Sequence, residues 1–122
     1  MFTQRVPISI DKQLELKVEG DLNLSGWDQA EIQAAVERES DLRVTTHDDR
    51  VILESLGDLE IQVPAGVSIF VRKVEGDAEF QDLTGQLSVR AVGGDLDLDG
   101  LGDVQVESVG GDLDARKVSS LK

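Results

Sequence analysis

Apolar and polar positions in the second half of this chain recur with a period of nine. Residues 74–117 divide into the rungs VEGDAEFQD, LTGQLSVRA, VGGDLDLDG, LGDVQVES and VGGDLDARK, the fourth one residue short. The first column is aliphatic throughout: Val74, Leu83, Val92, Leu101 and Val109, with Val118 opening the next rung. Two further apolar columns follow, Ala78, Leu87, Leu96, Val104, Leu113 and then Phe80, Val89, Leu98, Val106, Ala115, with polar residues between them. Alternation of period two within a rung predicts a short strand with one buried face. Gly76, Gly85, Gly94, Gly102 and Gly111, each followed by Asp or Gln, form a turn column. A glycine there predicts a turn that needs positive φ or close backbone approach.

The same unit stands upstream as VEGDLNLSG (residues 18–26) and, more loosely, as LGDLEIQV (residues 56–63). The repeat therefore spans nearly the whole chain, irregular over 1–73 and regular over 74–122, and the chain reads as one domain. A nine-residue rung cannot bury its apolar face alone, so stacking along an axis is expected. The predicted fold is an all-β, single-domain β-solenoid (β-helix), with two strands per coil of about eighteen residues and a thin Val/Leu core between two parallel sheets. Residues 29–39, QAEIQAAVERE, contain helix formers and place Ile32, Ala35 and Val36 at helical spacing; Ala30, Ile32, Ala34 and Val36 also alternate with polar residues. Strand-like neighbours on both sides make strand the expectation.

A first VEGDLNLSG, irregular strands, then LEIQVPAGVSIFV (residues 59–71) and a run of Gly-Asp rungs resemble the DUF4097 putative-adhesin family of bacterial β-solenoid domains. The resemblance covers residues 13–122, and VPAGV at 63–67 is its more specific part; Gly-Asp rungs also occur in other solenoids, bactofilins among them. It implies a β-helix without an assigned chemistry, and further rungs beyond VSSLK, where Ser120 stands near the position of the rung glycine.

Composition narrows the partners. Aromatic residues are 3 % of the chain, so Phe2, Phe70, Phe80 and Trp27 leave the core to aliphatic side chains. A formal net charge of −13 repels phosphate backbones and anionic lipid, which argues against nucleic acid and membrane insertion. The absence of Cys removes disulfides, thiolate metal sites and a thiol nucleophile. MFTQRVPISIDKQ has no apolar h-region, and no run approaches the ~18 apolar residues of a span. A cytoplasmic location is expected, or a surface one if a leader has been removed.

Asp95 to Gly100, DLDLDG, matches the first six positions of an EF-hand loop, but Val106 stands where the bidentate Glu belongs. The nine-residue calcium repeat also fails, with Leu96 and Leu98 at its Gly and Asp positions. As strand residues, Leu96 and Leu98 point inward and Asp95, Asp97 and Asp99 face water. His47, in TTHDDR, has no Cys or second His as partner and reads as a loop residue. Trp27 reads as a cap over the first rungs. No catalytic, cofactor or metal residue is assigned, and no enzyme is expected.

The ends carry more interest, because a terminal strand exposes unpaired backbone groups. Arg116, Lys117 and Lys122 gather there, after an interval from Val92 to Leu113 with six acids and no base. The expected function is a non-enzymatic structural or interaction module, self-associating as a homo-oligomer or filament through its ends or sheet faces. The alternative is a surface adhesin-like domain that binds glycan, protein or weakly held Ca²⁺ through its acidic face.

Overall fold

The structure is a computed structural model and describes residues 2–8 and 12–121. It is all-β, with a single 3-10 turn at Glu39–Asp41 and no α-helix among the described residues. None of it is a helix long and apolar enough to cross a membrane. The strands are β1 (Phe2–Pro7), β2 (Gln13–Val18), β3 (Leu22–Trp27), β4 (Glu31–Val36), β5 (Leu42–Thr46), β6 (Arg50–Ser55), β7 (Leu59–Pro64), β8 (Ser68–Val74), β9 (Ala78–Leu83), β10 (Leu87–Val89), β11 (Leu96–Val106) and β12 (Leu113–Leu121).

They form one curled, open sheet in the order β1-β4-β7-β3-β9-β11-β10-β8-β2-β6-β5, with β12 added along β11. The expected pair of separate sheets is thus one continuous sheet. The cause is β11: its first half pairs with β9 and its second half with β10, so hydrogen bonding runs unbroken around the bend. Gly100, at φ 70°, lies at that bend. Nor is the sheet wholly parallel, because β1–β4, β4–β7 and β5–β6 are antiparallel. These belong to the irregular first half, and the segment at 29–39 holds a strand, β4, at Glu31–Val36 with Ile32, Ala34 and Val36 buried, before the 3-10 turn begins at Glu39.

The alternation predicted for the regular rungs places its apolar columns on the concave side. Ala78, Phe80, Leu83, Leu87, Val89, Leu96, Leu98 and Leu101 are all buried. Ladder partners lie 18 residues apart (Ala78 with Leu96, Ile69 with Leu87) or 17 apart (Leu87 with Val104, Leu96 with Leu113). Each buried Leu, Val or Ile contributes about 1.5–3 kcal/mol relative to exposure. Side chains from the two arms of the curl therefore make the core without any helix to cover them.

Positive φ falls at a different column from the one expected. Asp82 (φ 57°), Gly100 (φ 70°) and Lys117 (φ 53°) each stand one residue before the closing aliphatic, Leu83, Leu101 or Val118. Left-handed backbone costs a residue with a Cβ about 1 kcal/mol or more. Lys117 is exposed, so Lys117→Gly loses no packing. The substitution is expected to add about 0.5–1 kcal/mol, part of the gain being offset by unfolded-chain entropy. A thermal melt should show the midpoint rising by roughly 2–5 °C.

Candidate functional site: the uncovered edge at β12

Two apolar rows cross the arms of the sheet and end on β12. One runs Val36, Leu59, Leu22, Ala78, Leu96, Leu113 in ladder register; the other runs Val51, Leu14, Ile69, Leu87, Val104, Leu121. Every member is buried except the last of each, Leu113 at 44 % exposed and Leu121 at 42 %. A row stays dry only while another strand lies on each side of it. Among the described residues, no strand pairs with the far side of β12.

The backbone of β12 is half satisfied in the same way. Leu96 N–H donates to the Asp112 carbonyl at 2.8 Å. Bonding residues alternate along a parallel strand, so residues 112, 114 and 116 face β11. Leu113 and Ala115 then direct their N–H and C=O groups away from the sheet, along an edge that can template another strand.

A column of aspartates leads to the same edge. Asp58 Oδ1 accepts from Asp21 N–H, Asp21 Oδ1 from Asp77 N–H, Asp77 Oδ1 from Asp95 N–H and Asp95 Oδ1 from Asp112 N–H, all at 2.8–2.9 Å. Charged acceptors make these among the stronger hydrogen bonds available at a surface. The glycine before each Asp is the space into which the neighbouring carboxylate folds: a Cβ on Gly76, Gly94 or Gly111 would collide with Asp21, Asp77 or Asp95. Gly85 and Gly102, which the nine-residue period placed in the same column, lie at the opposite bend and have no such ladder. Gly85 lies against the Gly66 and Val67 carbonyls, and Gly102 against that of Thr84.

Other residues singled out from the sequence fall outside the edge. Asp95 belongs to the ladder, while Asp97 and Asp99 point outward and Leu96 and Leu98 inward. Among the described residues no group of three His, Cys, Asp or Glu side chains is placed to hold a metal. His47 lies in the turn between β5 and β6, where its backbone N–H donates to the Arg50 carbonyl at 2.8 Å. The Trp27 indole N–H donates to the Glu31 carbonyl at 2.8 Å, pinning the β3–β4 turn, and the ring is half-buried. Arg116 pairs with Asp114 at 3.5 Å on β12, Lys117 follows it, and Lys122 lies outside the described residues.

The convex side differs between the arms. On one, Glu79, Asp97 and Asp114 are register neighbours, three like charges in a row. Glu79 and Asp97 line a groove of about 640 Å³ together with Asp21, Asp58, Glu60 and Asp77. On the other, Glu15 sits between Ile52 and Phe70 and is nearly buried, held by Arg50 at 3.2 Å and Arg72 at 3.8 Å. Paired on both sides, that carboxylate fastens three strands.

No family model and no curated protein matches the chain. Among solved structures, it is similar to a putative cell adhesion protein from Clostridium sporogenes, with 9 % identity over 98 % of this chain and 97 % of that one and a TM-score of 0.36. It is similar also to a putative adhesin from Bacteroides fragilis, with 7 % identity over 99 % and 96 % and a TM-score of 0.36.

Proposed function

We propose that the chain is a non-enzymatic interaction module, a β-solenoid with two strands per coil that takes up a further strand along β12. The observation that carries the reading is the pair of apolar rows that reach β12 uncovered. The 17- and 18-residue ladder offsets support the two-strand coil, and the order of rungs in the sequence supports reading the chain beside the DUF4097 domains.

Strand addition depends on the outward backbone groups of β12, and proline removes one without touching the ladder to β11. Ala115→Pro deletes an outward N–H on an edge strand. Light scattering after size exclusion should show the wild-type mass rising above the chain mass with concentration. The variant should stay at the chain mass, with a melting midpoint within about 3 °C of wild type, because no internal bond is lost. A rise that persists in Ala115→Pro would remove β12 as the contact.

The acidic groove favours a second reading, an adhesin-like domain that binds a ligand through that face. Glu79→Lys combined with Asp97→Lys would abolish such binding and leave association through β12 intact. A calcium titration without a shift in melting midpoint would remove its metal version.

A further inference from the structure

We infer that the strand taken up along β12 is β12 of a second copy, running antiparallel about a two-fold axis through Ala115. The inference rests on the open-edge reading of β12 and adds the partner, the direction and the register.

Direction follows from the charge pattern. Two chains of net charge −13 approach each other favourably only where one edge offers bases as well as acids. β12 does so, with Asp114, Arg116 and Lys117 in succession. Among the described residues the sheet's other unpaired edges are β1 and β5, and each carries one arginine, Arg5 or Arg43, and no acid.

Register follows from the backbone. Leu113 and Ala115 present the free N–H and C=O groups, so an antiparallel partner must meet β12 with one of them in a hydrogen-bonded pair. With Ala115 on the axis, Ala115 faces Ala115 in a hydrogen-bonded pair, which puts the smallest side chain of β12 at the centre of the contact. Asp114 then stands opposite Arg116 and Arg116 opposite Asp114, in the non-hydrogen-bonded pairs whose side chains are nearest. Both side chains are exposed, Arg116 at 72 % and Asp114 at 56 %, and therefore available. Leu113 lies opposite Lys117, whose left-handed backbone (φ 53°) ends the paired stretch there.

The axis is normal to the sheet, so each arm of the curl meets the same arm of the copy. Such a contact is isologous and closes on itself. The expected particle is a dimer, and it does not grow into a filament through this edge.

The test is a charge exchange read by light scattering over a concentration series. Wild type should level off at twice the chain mass. Asp114→Arg and Arg116→Asp alone should each weaken the dimer about tenfold or more, since two attractive pairs become repulsive. The double variant should dimerise as wild type does. An equimolar mixture of the two single variants should also form dimers, because an edge with two arginines meets an edge with two aspartates. Dimers that survive both single reversals, while Ala115→Pro still blocks them, would overturn this register and leave strand addition standing. A wild-type chain that stays at the chain mass at every concentration would overturn the second copy as partner, and with it the self-association on which the edge reading is tested.

Discussion

Phe80→Ala is expected to cost about 3–5 kcal/mol and to lower the melting midpoint by roughly 10–20 °C, the largest effect of any single truncation in this core. Phe80 is the largest of the fully buried side chains and lies in the row Ala34, Ile61, Leu24, Phe80, Leu98, otherwise aliphatic. Its strand is hydrogen-bonded to β3 on one side and β11 on the other. The backbone therefore cannot close on the space left by the ring, and the cavity term adds to the lost transfer free energy. Against a total of about 5–15 kcal/mol for a domain, the variant is close to unfolding. Phe80→Leu, which keeps most of the volume, should cost less than about 1.5 kcal/mol. Chemical denaturation of both variants checks the pair, and similar losses for the two would mean that the rows pack loosely around position 80.

Phe80 also marks how far the sequence could be read. Its column was visible from alternation alone, because a half-buried strand must repeat at two residues. At 29–39 the same alternation prevailed over helical spacing, since Ile32, Ala34 and Val36 could reach the concave side only as a strand. The order of stacking was not legible. Leu22 pairs with Ala78 across most of the first half, and β7, whose rung lies between them in sequence, sits on the far side of β3. Each rung offers its neighbours the same Leu and Val columns, so the pattern does not say which rung meets which. Positive φ was equally hidden: Gly100 could have signalled it and Asp82 tolerates it, but Lys117 gives no sign in its chemistry.

The candidate edge was partly legible. Arg116 and Lys117 stood out as bases after a long acidic interval, whereas Asp114 and Ala115 did not. Their signal was the sequence Asp-Ala-Arg, a charge pattern complementary to itself when reversed, and it becomes meaningful only once Ala115 is known to face outward on an open strand. Glu15 gave no sequence sign at all, because its two arginines come from strands β6 and β8.

The glycine column separates the two reasons first offered for it. Gly94→Ala is expected to cost about 2–4 kcal/mol, since the new Cβ meets the Asp77 carboxylate and the Gly76 carbonyl. Moving that carboxylate breaks the hydrogen bond it accepts from Asp95 N–H. Asp77→Ala alone removes the acceptor and should cost about 1–2 kcal/mol. In the double variant half of the obstruction is already gone, so the combined loss should fall short of the sum by about 1 kcal/mol, the coupling expected of residues in contact. Gly57→Ala is the control. It begins the same column, but a Cβ there meets only Asp41 Oδ2 at 3.7 Å. With no carboxylate folded over it and no positive φ, alanine should be neutral or stabilise by about 0.4–1 kcal/mol through the unfolded chain. Denaturation midpoints of the four variants decide the matter. If Gly57→Ala were as costly as Gly94→Ala, turn conformation would govern the column; a cheap Gly57→Ala beside a costly Gly94→Ala means that stacking does, and that Gly20, Gly76, Gly94 and Gly111 are required by the aspartate of the rung beside each.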